Sequence, residues 1–509
     1  MILYTIDYYV FGRILQGVNM KKMFGMGLLT AATFAFAATT EEEIAKLQKE
    51  IDRLKVKVSK NNAQSSNDNI KWGVDFRTAI DSINYDMADG SKAGKNDLMS
   101  MRLWLNMAYA PDSHNVFKGQ LSMNKAFGGN FDPLGSLTSF NTFDWIGNEA
   151  LGDNTLKVRQ AYWLYLGDRA FGLDMPWTFS IGRRPSTNGF LANLREDDPA
   201  QSPLGHIINV EFDGLSSKLD LSNVTGIPGM SIKICMGQGS TNATPMFAAN
   251  GEPQYSNDDM VNEDIRLAGF IFEPYNDGQI VTKFTWFRAF DLPDMNLQDD
   301  GTGKFRPNGT FSSVGNMDGA ALSVLIDGIT EDGYFSDVKV FGSFAWSKTR
   351  PNSDGITIYD NAGHSIGTRN GMLGKAESQT GTSYWFGTQL PVTEDGKFGV
   401  EYNHGSQYWR PFNYAEDTMI GSKLAARGDA WEVYFTYQLT DALSAQARYT
   451  KIDYDYMGSN GFFGNSSGNA AKIDDIKAAA ANGDARAQQL LPTIVESADD
   501  FRFYIRYRF

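Results

Sequence analysis

Cysteine is nearly absent. Cys235 stands alone among 509 residues, which excludes a disulfide framework and any cysteine-built metal site. Histidine is almost as scarce: His114, His206, His364 and His404 are scattered, without an HExxH pair, metal-ligand spacing or a GxSxG elbow. His404-Gly405-Ser406 is a sequence neighbourhood and no more, so no enzyme and no metal centre is expected. Glycine pairs such as Gly237-Gln238-Gly239 lack the strand-to-helix setting of a phosphate loop, and no cofactor is expected. There is no basic, aromatic-interleaved surface of the kind that binds nucleic acid. After residue 37 no run reaches the ~18 apolar residues of a membrane helix, and the mean hydropathy of -0.34 is too polar for a helical bundle in lipid.

Aromatic residues at 13%, 51 glycines, and Asn and Asp clustered between short alternating segments suit a strand-and-turn protein. The last nine residues read Phe-Arg-Phe-Tyr-Ile-Arg-Tyr-Arg-Phe, with apolar or aromatic side chains at 501, 503, 505, 507 and 509 and arginine at 502, 506 and 508. A strand shows alternate residues to opposite faces, so this segment fits a wall with lipid on one side and water on the other. Ending on Phe509 resembles the C-terminal signal by which the assembly machinery of Gram-negative bacteria recognises outer-membrane barrels.

The amino end points to the same address. Lys21 and Lys22 precede an apolar stretch, Met23 to Phe36, and Ala35-Phe36-Ala37 has the form of a signal peptidase site. Residues 1–37 are therefore read as a misassigned start ahead of Met20 plus a signal peptide. Over 38–60, Ile44, Leu47, Ile51, Leu54 and Val58 are spaced three, four, three and four apart, the seam of a coiled coil. So short a helix is marginal alone, which predicts a periplasmic coiled coil joining subunits, with a trimer favoured. The alternative is an amphipathic helix lying on its own barrel. Residues 61–69 are a polar linker.

From residue 70 to 509, 16 candidate strands follow, at 70–80, 98–110, 116–126, 155–166, 176–184, 212–222, 229–237, 264–274, 279–290, 317–327, 335–347, 381–390, 397–405, 428–439, 443–454 and 500–509. Connections after even strands are short and carry turn residues such as Asn276-Asp277-Gly278; those after odd strands are long, such as 81–97, 185–211, 291–316 and 406–427. That alternation predicts an all-β, transmembrane, antiparallel up-and-down barrel of about 16 strands (14 or 18 being the neighbouring counts) with turns in the periplasm and loops outside. In the last long connection, 471–491 reads as short helices broken at Asn482-Gly483; it can cap the mouth, enter it or cover the surface.

Alternation assigns the two faces. Met101, Leu103, Leu105, Met107 and Tyr109, like Trp431, Val433, Phe435, Tyr437 and Leu439, take the lipid side. The opposite parity sends Lys71, Arg77, Arg102, Lys118, Lys157, Arg159, Arg184, Lys218, Lys233, Arg266, Lys339, Arg448, Arg502, Arg506 and Arg508 inward, against Asp75, Asp220, Glu401 and Glu432. Although the whole chain carries a net charge of -14, the lumen is expected to be cationic, with some arginines lacking acidic partners and meeting solute. The mixed-charge loop after strand five is expected to fold inward as a constriction through Arg183, Arg184, Arg195, Glu196, Asp197 and Asp198, the alternative being a solvated external loop.

The stretch Ile181-Gly182-Arg183-Arg184-Pro185-Ser186-Thr187-Asn188-Gly189, continuing to Arg195-Glu196-Asp197-Asp198-Pro199, resembles one in a family of porin-like outer-membrane β-barrel proteins from campylobacter-related Gram-negative bacteria. The resemblance extends over the signal, the heptad helix and most of the barrel. The residues thus point to a passive diffusion pore in the outer membrane for small anionic or neutral hydrophilic solutes, with anions preferred. Two other readings are a barrel sheath that docks a partner such as an electron-transfer cytochrome, and a surface adhesin with a blocked lumen.

Overall fold

A computed structural model describes residues 70–129, 151–184, 186–244, 251, 253–257, 264–413, 416–458 and 470–509. The targeting segment, the heptad helix with its seam residues Ile44, Leu47, Ile51, Leu54 and Val58, and the linker lie outside the described residues.

Sixteen strands form the wall: β1 Lys71–Met87, β2 Lys92–Tyr109, β3 Asn115–Ala126, β4 Lys157–Gly167, β5 Trp177–Arg184, β6 Phe212–Asp220, β7 Ser231–Ser240 and β8 Ile265–Asn276. They continue as β9 Ile280–Asp299, β10 Phe305–Asp327, β11 Lys339–Pro351, β12 Thr380–Pro391, β13 Gly396–Gly405, β14 Gly428–Gln438, β15 Leu443–Tyr454 and β16 Val495–Arg508. Each pairs antiparallel with its sequence neighbour, and β16 closes on β1 with Arg77 opposite Arg506 and Asp75 opposite Arg508. The result is the expected closed 16-strand antiparallel barrel. Closure leaves no open sheet edge, which a lipid environment requires.

Turn chemistry explains the end of the barrel with the short connections. The Asp277 carboxylate accepts from the backbone N–H groups of Gln279 and Ile280 at 3.0 and 2.7 Å, while Gly278 supplies the φ of 97°. At the opposite end two expected loops are largely strand. β1 and β2 run on to a tight turn at 88–91, and β9 and β10 extend through 291–299 and 305–316 as a hairpin whose Leu292, Met295, Leu297, Phe311 and Val314 are buried in one cluster with Ile356, Met372 and Leu373.

The outer face carries the apolar band: Phe76, Ile80, Trp163, Ile234, Phe344, Phe386, Trp431, Phe501, Phe503 and Ile505 are all exposed. Phe509 exchanges two 3.1 Å backbone hydrogen bonds with Val74, extending the seam where the barrel closes. Over the external rim, helices α1 (Ile473–Ala481) and α2 (Ala485–Leu490) are separated by Asn482-Gly483. The Asp484 carboxylate caps α2 by accepting from the N–H groups of Arg486 and Ala487. Through Ile473, Ile476 and Leu490 the two helices pack on Ile83, Ala430, Ile452 and Ala498 at the upper ends of β1, β14, β15 and β16.

Candidate functional site

Two external connections turn into the barrel. In segment 186–211 Leu191, Leu204, Ile207 and Val210 have no solvent exposure. In segment 416–427, and in 406–413 before it, Trp409, Phe412, Leu424 and Ala426 are equally enclosed. Ile207, Ile208, Val210, Trp409 and Phe412 pack with the inward side chains Leu267, Phe287, Ala289, Met317, Ala321 and Ala345, so this part of the lumen is a hydrophobic core. Each Leu or Ile so buried contributes ~1.5–3 kcal/mol relative to an exposed position, which makes these segments docked elements rather than solvated loops. His206 adds a polar clasp, hydrogen-bonded to the Ser343 and Ser383 hydroxyls at 2.8 and 2.9 Å. Burial pushes its imidazole pKa down to about 3, so the ring is neutral at physiological pH.

The charged wall is organised as like-charge pairs bridged from inside. Arg77 stands directly opposite Arg102 on one side and Arg506 on the other, and Arg448 stands opposite Arg502. Such cross-strand pairs are destabilising unless a counter-charge intervenes. Asp417 supplies one, accepting from Arg77 Nη2 and Arg502 Nη1 at 2.9 Å and from Arg102 Nη1 at 3.2 Å. Glu196 supplies another, 2.9 Å from Arg448 Nη1 and hydrogen-bonded to the Tyr504 hydroxyl. Asp75 and Asp81 on β1 take Arg506 Nε and Arg502 Nε at 2.9 and 2.5 Å, and Asp198 takes Arg506 Nη2 at 2.8 Å. The mirror case occurs where Glu401 faces Glu432 between β13 and β14. There Lys423 Nζ lies 2.7 Å from Glu401 and contacts Glu432, while Arg195 Nη1 meets Glu432 at 3.2 Å and Glu416 at 2.9 Å.

The expectation that some inward arginines lack acidic partners does not hold for those of the closing strand. Arg502 and Arg506 are buried and paired, with Asp81 and Asp75 on β1 and with Asp417 and Asp198 on in-folded segments. Arg102 also stacks 3.5 Å from the centre of the Trp104 ring, and Arg159 lies 4.3 Å from it. Arg159 pairs with Glu211 at 3.2 Å, as does Arg183 at 2.9 Å. Arg508 sits at the short-turn end against Asp198, and Asp197 reaches Lys397 at 2.7 Å on the same side. Arg266, assigned inward by parity, faces outward, more than half exposed and paired with Asp264. The bridging residues Asp417, Glu416 and Lys423 were missed in sequence, since nothing in 406–427 taken alone marks it as entering the lumen.

Arg184 belongs to a different neighbourhood. At Gly182 the backbone takes a φ of 126°, and a Cβ there would lie 2.4 Å from the Ala161 carbonyl oxygen. This irregularity lets Ile181 face lipid while Arg183 turns inward. Arg184 then lines a cavity of about 50 Å3 with Ser186, Ser202, Lys233 and Cys235, bounded by apolar residues of β8 and β9. Near the mouth at the short-turn end a second cavity, about 500 Å3, is lined by Asp197, Asp198, Lys339, Gln389 and Arg508. Among the described residues no group of His, Cys, Asp and Glu is arranged to hold a metal ion.

A closed 16-strand barrel with an apolar outer band and a charged lumen entered by its own loops is a porin-like outer-membrane β-barrel. The chain belongs to the family described as "Protein of unknown function (DUF3373)", whose profile matches residues 92–509. Among solved structures it is similar to the loop L8 deletion mutant of OmpT, an outer membrane protein of Vibrio cholerae (9% identity, TM-score 0.42, covering 87% of this chain and 99% of that one). It is also similar to the anion-selective porin from Comamonas acidovorans (10%, 0.42, 87% and 99%) and to OprB of Pseudomonas putida (13%, 0.44, 86% and 94%). No curated protein matches the chain.

Proposed function

We propose that this protein is a passive diffusion channel of the outer membrane for small hydrophilic solutes, with anions preferred. The observation that carries the reading is the lumen's division into two sectors. Between β13 and β3 the inward charges are largely paired, whereas of the inward cations on β5 to β9 Arg183 pairs with Glu211 and Lys283 lies 3.6 Å from Glu273, while Arg184, Lys218 and Lys233 form no ion pair among the described residues. Segment 186–211 narrows the passage, and the residual positive sector sets its sign, since a charged lumen with low-dielectric walls concentrates counter-ions. The chemistry is permeation, with no catalytic step. Cleavage after Ala37 would export the chain, the heptad helix would join subunits as a trimer in the periplasm, and Phe509 would serve recognition by the barrel-assembly machinery.

Planar-bilayer recording in a potassium chloride gradient tests this. The reversal potential should show chloride preference, more strongly in dilute salt, where screening reaches beyond the ~8 Å of physiological ionic strength. A cation-selective channel would overturn the anion assignment. The tight apolar packing of segments 186–211 and 406–413 favours a second reading, a lumen closed for good in a docking or adhesive barrel. Well-folded protein that passes no current would select it.

A further inference from the structure

Three inward like-charge pairs of the compensated sector, Arg77 with Arg102, Arg448 with Arg502 and Glu401 with Glu432, are bridged by side chains of opposite sign from in-folded segments: Asp417 and Glu196 for the arginines, Lys423 and Arg195 for the glutamates. One further inward pair has no such bridge. Lys218 on β6 stands directly opposite Lys233 on β7, both on the inward face, and no carboxylate of the described residues pairs with either. Lys233 Nζ donates instead to the neutral Ser202 hydroxyl at 2.5 Å. Beside them Arg184, likewise without an acidic partner, keeps a buried Nε that has no acceptor. Two ammonium groups and a guanidinium held together without a counter-charge cost free energy, and a buried donor left unpaired costs ~1–3 kcal/mol more.

We infer that a small oxyanion from solution is the missing bridge, bound in the cavity behind Ser202 that Arg184 and Lys233 line, with Lys218 opposite Lys233 on the neighbouring strand. A carboxylate suits the donor set: its two oxygens can take the Arg184 guanidinium and a lysine together, in charge-assisted hydrogen bonds about twice as strong as neutral ones. The cavity of about 50 Å3 admits an ion of acetate size, and its apolar lining, Ile208, Leu267 and Phe287, accepts a methyl group. Ser186 donates to the Val210 carbonyl, and Ser202 offers Lys233 a neutral hydroxyl oxygen that carries no counter-charge. The site makes the anion preference a matter of transient occupancy at one place in the lumen, and it rests on solute being able to reach that sector.

The test is a titration of 13C-labelled acetate into the full mature protein in detergent at low chloride, followed by NMR line broadening, alongside bilayer recordings on the same preparation. Wild type should show one saturable site displaced by excess chloride. R184Q and K233Q should each bind acetate about tenfold more weakly or worse, the loss expected for one charged hydrogen bond, while R184K recovers part of it. Heat-modifiable gel mobility confirms that each variant is a folded barrel. Non-saturable acetate binding, or equal affinity in R184Q, overturns the site. A channel that conducts without saturable binding refutes the site and leaves the pore. Saturable binding in protein that passes no current keeps the site and refutes the pore.

Discussion

Replacing Asp417 by asparagine removes one negative charge from a place where three guanidiniums meet. Arg77 and Arg502 lie 2.9 Å from its carboxylate and Arg102 lies 3.2 Å away. The substitution keeps the shape and one acceptor oxygen, so what changes is the charge. Glu196, Asp75 and Asp81 remain nearby, but each is already engaged by Arg448, Arg506 or Arg502. Breaking a buried pair from one side costs ~3–5 kcal/mol, because the partner is left charged and dry. That cost falls on the docking of segment 416–427, not on the wall, since the strand ladders β16–β1 and β1–β2 do not use Asp417. At about 1.4 kcal/mol per power of ten, the docked fraction should fall at least a hundredfold relative to the undocked.

D417N should therefore show normal heat-modifiable mobility, faster hydrogen exchange over 416–427, and larger or flickering single-channel conductance as the segment leaves the lumen. The same lock has a pH signature. Burial by itself would raise the Asp417 pKa, but Arg77 and Arg502 outweigh it and hold the carboxyl well below its ordinary value of 3.8. A carboxylate lowered in the folded state contributes its stability above the unfolded pKa and loses it as pH falls through the folded one. Wild type should stay docked at about pH 5 and release the segment only in strong acid. If D417N matches wild type in exchange over 416–427 and in conductance, the bridging role assigned to Asp417 is wrong.

Lys423→Met leaves Glu401 and Glu432 facing each other with only Arg195 between, and should lower the midpoint of the heat-modifiable transition by an amount reflecting ~3 kcal/mol or more; an unchanged midpoint refutes the bridge. Removing Phe509 takes away two backbone hydrogen bonds at the closing seam and the terminal aromatic, so the yield of folded barrel in the membrane should drop; a normal yield counts against the assembly role. Changing Leu47 and Ile51 to Asp should dissociate the oligomer in mild detergent while the barrel stays folded, because charges at heptad core positions are poorly tolerated; native mass spectrometry decides, and an intact oligomer moves the subunit contact to the barrel wall.

The wall was readable because its physics is local. Lipid on one face imposes a period of two on each strand, and turn residues such as Asp277-Gly278 mark the short ends, so strand number and order follow from patterns a dozen residues long. The charge of the lumen has no such period. Glu196 meets Arg448 across 252 positions and Arg77 meets Asp417 across 340, separations at which nothing in either neighbourhood names the other. Counting strand arginines against strand acids therefore overstates the lumen's charge wherever a loop brings the opposite sign, and states it correctly only where none does. Arg502 and Arg506 looked like the selectivity wall from their parity and serve to hold the in-folded segments. Lys218 and Lys233, equally plain by parity, keep their charge uncompensated because the segment opposite them offers Ser202 instead of a carboxylate. Selectivity and stability thus draw on the same residue types in one lumen, and what separates the two uses is the chemistry of the residue that folds in to face them.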